Sequence, residues 1–155
     1  MRLAFAMLAM LVLMMTTVAS ARRVKDSRGL FSIEIPDRWK YRRPDLREGM
    51  GHYYSVDSSA VISLGTYDIE GMSLDAWTQS ITKGLPTSGF KVYSDNLNKV
   101  PAKRLETASP DQTTITWMAK EGSRGVGIVL VCPRSTKEDL SSIRRTLTRS
   151  FRWVK

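Results

Sequence analysis

Only two side chains in this chain suit nucleophilic or acid–base chemistry near neutral pH: the one histidine, His52, and the one cysteine, Cys132. A single histidine cannot build a His-rich zinc site, although calcium binding by carboxylates alone stays open. A nucleophile–histidine pair would need His52 beside Cys132 or a serine, and no spacing indicates this. We expect His52, next to two tyrosines, to pack within a strand, and Cys132 to be a buried thiol. The composition therefore favours a protein that is not an enzyme and holds no metal or cofactor.

Two short matches to functional motifs are best explained by chance. Ser80 and Lys83 spell S-x-x-K, and S-D-N stands at 94–96, which are two of the three motifs of penicillin-binding enzymes. The third motif, K-T-G, is absent, and Ser80 and Lys83 fall at the end of a predicted helix. Gly125 and Gly127 spell G-x-G inside a predicted strand without a third glycine, so dinucleotide binding has no support.

A run of aromatic and basic residues is the strongest candidate for a binding surface. It consists of Trp39, Lys40, Tyr41, Arg42 and Arg43, and an irregular stretch follows it. Aromatic residues and arginines are typical of surfaces that face a partner. In the alternative interpretation, Trp39 and Tyr41 cover the end of the core and the cations are only solvated. If the surface is functional, charge reversal at Arg42 and Arg43 should weaken partner capture without lowering thermal stability.

The element that positions this patch is a strand at the start of the folded domain. Phe31, Ile33 and Ile35 alternate with polar residues, which predicts a half-buried strand. Pro36 removes a backbone donor and ends the strand before Trp39. Tyr41 to Gly51 is polar and contains proline and glycine, so we expect a loop there.

The rest of the chain alternates between short strands and two helices. Strands are predicted at 52–56, 60–67, 90–94, 99–107, 113–120 and 126–132. Ser73 is a favourable N-cap for a helix at 73–84, and Ser135 with Glu138 forms a capping box for a helix that ends near Arg149. The run at 126–132 is almost wholly apolar, which indicates the central strand with helices on either side. Because most connections are too short for parallel crossovers, we predict one α+β domain with a largely antiparallel sheet.

The first 21 residues have the order of a secretory signal peptide. A positive start is followed by an apolar run at 3–15 and by A-S-A at 19–21, which predicts cleavage after Ala21. The apolar run is shorter than the roughly 20 residues of a membrane-spanning helix, so no transmembrane span is expected after cleavage. We expect residues 22–29 to be a basic, disordered lead-in and residues 30–155 to form the domain. The protein should be exported to the periplasm or the extracellular space.

The chain is strongly basic. Its formal charge is +9, and removal of Arg2 with the signal peptide leaves +8. Outside the cytoplasm the polyanions are lipid head groups, cell-surface polysaccharide and acidic proteins, so nucleic acid is not an expected partner. The alternative is a solvated surface that keeps the protein soluble.

Several of these segments resemble the Mog1/PsbP-like superfamily, which includes the PsbP protein of photosystem II and bacterial envelope proteins related to DcrB. The resemblance is carried by F-S-I-E-I-P-D-R-W at 31–39, the strand pair and S-L-D-A-W at 60–77, V-P-A-K-R-L at 100–105 and S-F-R at 150–152. It implies an α/β/α sandwich around an antiparallel sheet and a role in binding other proteins, with no catalytic residues to transfer. Pro101 departs from the pattern, since relatives often place glycine there.

Two function classes follow from these observations. The first is a non-catalytic exported accessory module that binds another envelope protein. The second is a peripheral binder of anionic lipid or cell-surface polysaccharide, which would bind less tightly as salt rises.

Overall fold

Strand pairing in this chain is antiparallel throughout the part that the structure, a computed structural model, describes: residues 20–42, 50–85 and 89–155. Seven strands form the main sheet, in the order β3-β4-β5-β9-β8-β7-β6. They are β3 (Lys40–Arg42), β4 (Met50–Tyr54), β5 (Val61–Asp68), β6 (Phe90–Leu97), β7 (Val100–Ala108), β8 (Gln112–Glu121) and β9 (Arg124–Pro133). Strand β9 is central, as its apolar sequence predicts.

A smaller sheet of three strands joins the two ends of the described chain. Strand β2 (Phe31–Pro36) lies between β1 (Ala21–Lys25) and β10 (Arg152–Trp153). The alternation predicted for β2 is confirmed, because Phe31, Ile33 and Ile35 are fully buried. Their apolar face packs into the main core, so this sheet acts as a cover rather than as an extension of the main sheet.

The two helices in the described part of the chain cover opposite faces of the main sheet. Helix α1 (Leu74–Thr82) contributes Trp77 to a cluster with Met118, whereas helix α2 (Leu140–Ser150) contributes Ile143 and Leu147 to a cluster with Trp117. Neighbouring residues of a strand point to opposite faces, so Trp117 and Met118 identify the two sides. The small sheet lies on the same side as α2. The result is an α+β fold with an α/β/α sandwich around a largely antiparallel sheet, as predicted.

A polar network ties α2 to the edge of the main sheet. Arg104 pairs with Asp95 at 2.9 Å and with Glu106 at 2.8 Å, and Arg144 of α2 approaches Glu106 at 3.4 Å. The indole of Trp117 donates to Asp95 at 3.2 Å. The helix is therefore positioned by charge as well as by its apolar stripe.

Three sequence-based predictions are wrong. Residues 22–25 are not disordered, because β1 pairs with β2 over its whole length. The predicted loop begins with a strand, β3, and Met50 and Gly51 already belong to β4. Helix α2 starts later than the predicted capping box: Asp139 is its N-cap and accepts from the amides of Ser141 and Ser142, at 3.0 and 3.1 Å.

Other predictions lie outside the described residues. They are the signal peptide up to residue 19 and the loop at 43–49 with Arg43. In the described part of the chain, neither helix is long and apolar enough to cross a bilayer.

Candidate binding surface at the edge of the main sheet

The structure separates the residues of the predicted patch. Trp39 is 1% exposed and belongs to the core, which supports the alternative interpretation for this residue. Lys40, Tyr41 and Arg42 are exposed and form β3, which among the described residues pairs only with β4 and so stands at the end of the main sheet. The fifth predicted residue, Arg43, lies outside the described residues.

Side chains of β3 alternate between the two faces of the sheet. Tyr41 lies opposite Tyr53, whereas Lys40 and Arg42 lie opposite Tyr54 and His52. Cross-strand partners share a face, so Tyr41 stands on the side of the small sheet and the two cations stand on the other side. The patch is thus an edge with an aromatic face and a basic face.

Tyr41 is supported by a second aromatic ring. Its ring centroid lies 5.1 Å from that of Tyr53, and the rings are tilted by 49°. Tyr41 is 49% exposed, whereas Tyr53 is 6% exposed. Gly51 leaves space for the outer ring, because a Cβ there would lie 3.3 Å from Tyr41 Cε2. An exposed ring held against a buried ring presents apolar area with little loss of side-chain freedom on binding.

A cavity of about 90 Å³ opens beside this tyrosine pair. It is lined by Tyr41, Gly51, Tyr53 and Leu64 from the main sheet and by Lys25, Asp26 and Ser27 from the β1–β2 turn. The Asp26 carboxylate is occupied in shaping that turn, since it accepts from the amides of Phe31 and Arg28, each at 2.9 Å. The cavity therefore offers tyrosine side chains and Lys25 rather than a free carboxylate.

Sequence reasoning missed the contribution of Lys25 and Asp26. Both fall in the segment that was expected to be disordered, although the order Asp26-Ser27-Arg28-Gly29 is typical of a turn. Gly29 has φ +68°, a left-handed conformation that glycine adopts without strain. The turn pattern at residues 26–29 could therefore have predicted a hairpin of β1 and β2.

Burial also sets the protonation state of the inner tyrosine. The pKa of Tyr53 is raised mainly by burial, with contributions from Tyr41 and Asp26 that Arg22 partly opposes. Its phenol therefore stays neutral at physiological pH and can donate a hydrogen bond. Together with Lys25 and Tyr41, it suits a polar or acidic group of a partner rather than a bond-breaking reaction.

The two residues considered for catalysis stand on opposite faces of the main sheet. His52 Nδ1 lies 2.8 Å from Ser63 Oγ, on the side of α1, whereas Cys132 belongs to the core on the side of α2. Cys132 is 3% exposed, and burial, with Glu138, raises its pKa to about 11. The register therefore excludes a pair between this thiol and His52. In the described ranges, no group of three or more His, Cys, Asp or Glu side chains is placed to hold a metal ion.

The rejected motifs have structural explanations. Ser80 Oγ donates to the Trp77 carbonyl at 2.7 Å, as a polar residue of a helix does. Gly125 and Gly127 lie under the rings of Trp77 and Tyr67, and a Cβ at either glycine would come within 3.0 Å of ring carbon. These glycines let the aromatic layer approach the central strand, so they serve packing rather than phosphate binding.

This architecture is the PsbP/Mog1-like fold, and solved structures at low sequence identity share it. The cyanobacterial PsbP protein, CyanoP, of Synechocystis superposes with a TM-score of 0.64 at 10% identity, covering 90% of this chain and 96% of that one. LpqN, described as involved in cell envelope biogenesis of Mycobacterium tuberculosis, gives 0.60 at 12% identity, with coverages of 88% and 91%.

A third similar structure is longer than this chain. It comes from Bacteroides thetaiotaomicron and gives a TM-score of 0.63 at 11% identity over 86% of this chain. The match spans about half of that protein, 48% of its length. No protein-family model matches this sequence. No curated protein matches it either.

Proposed function

We propose that this protein is an exported, non-catalytic accessory module that binds another protein of the cell envelope. The signal-peptide pattern supports export to the periplasm or the extracellular space. The fold supports an accessory role, since LpqN, which shares it, is described as involved in envelope biogenesis. His52 and Cys132 are separated by the sheet, and the serine that lies beside His52 is Ser63, at 2.8 Å.

One observation carries the proposal: the exposed edge at Tyr41. Here an aromatic ring is held against Tyr53, a cavity with Lys25 lies beside it, and Arg42 stands on the other face of the strand. An edge strand also presents backbone donors and acceptors, to which an extended segment of a partner can add. Arginine and tyrosine are the residues that most often dominate the energy of such contacts.

The test is cross-linking capture from the envelope fraction, followed by binding measurements with the purified partner that mass spectrometry identifies. Tyr41→Ser and Arg42→Glu should each weaken binding by tenfold or more. A tenfold loss corresponds to about 1.4 kcal/mol of binding free energy, which is the least that a dominant contact contributes. Lys83→Glu is the matched control, because Lys83 is exposed at the end of α1, and α1 packs on β7 and β8, which lie in the other half of the main sheet from β3. All three variants should melt within a few degrees of the wild type, since the altered side chains are exposed.

Equal binding by the wild type and the two edge variants would refute the proposed surface. Binding that is weakened by Lys83→Glu but not by the two edge variants would place the surface at α1 instead.

The second candidate function is the peripheral binding of anionic lipid or cell-surface polysaccharide. The charge of +8 that remains without Arg2 supports it. It differs from the first candidate in its dependence on salt, because exposed charges are screened beyond about 10 Å at 0.1 M ionic strength.

A further inference from the structure

The basic residues are concentrated in one layer of the molecule. The small sheet and α2, which together cover one face of the main sheet, carry seven cations: Arg22, Arg23, Lys25, Arg144, Arg145, Arg149 and Arg152. Their only carboxylate is Glu34. On the opposite side, α1 carries Asp75, with Asp68 and Glu70 before it, but Lys40, Arg42 and Lys103 also lie there, and Lys103 pairs with Asp75 at 2.8 Å. The layer of the small sheet and α2 is therefore mostly basic, whereas the opposite side carries charges of both signs.

Register and burial show which of these cations point outward. In the small sheet, Arg23 lies opposite Glu34, and Arg152 and Lys25 both lie opposite Ser32, on the side away from the buried Phe31, Ile33 and Ile35. Lys25 also lines the cavity beside Tyr41, so it is not counted with the basic face. In α2, Arg145 and Arg149 are exposed, one turn apart, while Ile143 and Leu147 are buried. We call Arg23, Arg145, Arg149 and Arg152 the basic face.

Contacts between the sheet and the helix make this face continuous. Arg23 Nη1 reaches across β2 and donates to the Ser150 carbonyl at 2.9 Å, and the Glu34 amide donates to Ser150 Oγ at 2.8 Å. Arg152 follows two residues later. The end of α2 is therefore joined to the small sheet at Arg23, with Arg149 and Arg152 on either side of Ser150 in the chain and Arg145 one helical turn before Arg149.

Most of this positive charge is not neutralised within the protein. Glu34 pairs with Arg23 at 2.7 Å, and Arg144 is turned toward Glu106. Arg145, Arg149 and Arg152 form no ion pair with any residue that the structure describes. Like charges held together repel one another, so an anionic partner would relieve a cost that the folded protein carries.

We propose that the basic face binds the anionic head groups of a lipid bilayer. The three unpaired arginines stand on a helix and a neighbouring strand of one layer and do not surround a cavity, which suits a broad anionic plane better than a single anion. Each cation near such a plane contributes about 1 kcal/mol, and the attraction falls off within a Debye length. The inference assigns a surface to the second candidate function and concerns residues other than those of the Tyr41 edge.

The test is co-sedimentation of the exported protein with vesicles. Vesicles of neutral phosphatidylcholine are compared with vesicles in which about a third of the lipid is phosphatidylglycerol, at about 0.05 M and about 0.5 M salt. We expect binding to the anionic vesicles at low salt, loss of most of that binding at high salt, and none to neutral vesicles. Arg145→Glu/Arg152→Glu should reduce the low-salt binding by tenfold or more. This pair leaves Arg23 and its contacts intact, and Arg149 still faces the negative end of the helix dipole.

Arg42→Glu/Lys83→Glu is the matched control, since it makes the same change of net charge outside the basic face. It should retain the vesicle binding of the wild type even if it loses the protein partner of the Tyr41 edge. Equal losses in the two double variants would overturn the proposal, because net charge rather than a particular face would then be responsible. Binding to neutral vesicles would overturn it as well, as would stronger retention on an acidic polysaccharide than on anionic vesicles at equal salt.

Discussion

Asp57 shapes the turn between β4 and β5 through hydrogen bonds to its carboxylate. Its Oδ1 accepts from Ser55 Oγ at 2.6 Å, from the Ser59 amide at 3.0 Å and from Ser59 Oγ at 2.7 Å. These bonds, that of Ser55 first, lower the pKa of Asp57 from 3.8 to about 2. The hydrogen bonds favour the ionised carboxylate over the protonated one, so the turn is most stable when Asp57 is charged.

The pH dependence follows from the direction of this shift. A depressed pKa in the folded state stabilises the protein above pH 3.8, and the contribution is lost as the pH falls from there to about 2. Asp57→Asn should therefore lower the melting temperature at neutral pH and make its decline between those two pH values shallower. Melting curves across that range provide the measurement.

Asp111→Asn is the control for this prediction, because the Asp111 side chain accepts no hydrogen bond from the described residues. A decline in Asp57→Asn as steep as in the wild type would assign the acid sensitivity to other carboxylates.

Arg23 connects residues that are distant in sequence. Its guanidinium donates to Ser32 Oγ at 3.2 Å, to the Ser150 carbonyl at 2.9 Å and to Glu34 Oε1 at 2.7 Å. The Ser150 carbonyl is one of the groups that a helix leaves unpaired at its end. Arg23→Ala should therefore lower the free energy of unfolding by about 1–2 kcal/mol, mainly through hydrogen bonds, because the ion pair is partly screened by water.

Urea unfolding measures this loss. Arg23→Lys should recover only part of it, since a single ammonium cannot reproduce the planar fork. Arg28→Ala, in the adjoining turn, should change the stability by less than about 0.5 kcal/mol, as exposed substitutions usually do. A wild-type unfolding curve for Arg23→Ala would mean that β1 is held by its backbone pairing alone.

At the scale of the elements, the central strand is shaped by the space that its glycines leave. A Cβ at residue 125 would lie 3.0 Å from Trp77 Cη2 and 3.1 Å from Ile69 Cδ1, both in the cluster under α1. Gly125→Ala should therefore destabilise the protein by about 1–3 kcal/mol, because the indole must move away from the sheet. Thermal or chemical unfolding tests this, and tryptophan fluorescence should report the displaced ring.

Gly84→Ala is the matched control, since a Cβ there would have nothing within 4 Å and the residue does not have a positive φ. It should be neutral or slightly stabilising, because alanine has fewer unfolded conformations to lose. If Gly125→Ala were equally harmless, the aromatic layer over β9 would be loosely packed.

A strand or helix could be predicted from the sequence when its pattern of apolar residues was strong. The β2 strand and the central β9 strand combine alternation or continuous burial with clear ends, and both were predicted. Strand β3 has three exposed residues, and β1 is mostly basic, so neither has an apolar pattern. They are strands because neighbouring backbones pair with them, which is information that a local window lacks. At α2, the predicted cap was Ser135 whereas the structure has Asp139, because the apolar stripe alone does not fix where the helix begins.

The candidate site was only partly predictable for the same reason. Tyr41 and Arg42 were found as part of a local run of aromatic and basic residues. Lys25 and Asp26 reach the same cavity from the β1–β2 turn, and only tertiary pairing brings them there. Trp39 belongs to that run of aromatic and basic residues, yet it lies in the core. The turn after Pro36, in which the Trp39 amide donates to the Pro36 carbonyl at 3.0 Å, brings it there.

At the scale of the whole molecule, the two candidate functions use different parts of the fold. The Tyr41 edge terminates the main sheet, whereas the basic face covers the layer formed by α2 and the small sheet. This layer contains both β1 and β10, so the first and the last strand of the described chain lie in the same small sheet. A bilayer on the basic face would leave the far side of the main sheet, with Lys40 and Arg42, available to a protein partner, but Tyr41 and its cavity lie on the side of the small sheet. The two candidate functions therefore share the side of the small sheet and are independent only at Lys40 and Arg42.

The unpaired arginines predict how stability depends on salt. Because Arg145, Arg149 and Arg152 repel one another in the folded protein, screening should raise the melting temperature, by about 2–4 °C for each kcal/mol of repulsion removed. Arg145→Glu/Arg152→Glu replaces repulsion by attraction to Arg149, so its melting temperature should be higher than that of the wild type at low salt and should rise less as salt is added. Arg42→Glu/Lys83→Glu should retain the response of the wild type. Scanning calorimetry in sodium chloride measures these differences without any ligand. A salt response that is the same in all three proteins would mean that the arginines are too far apart to interact, and the basic face would then lack the charge density that a bilayer requires.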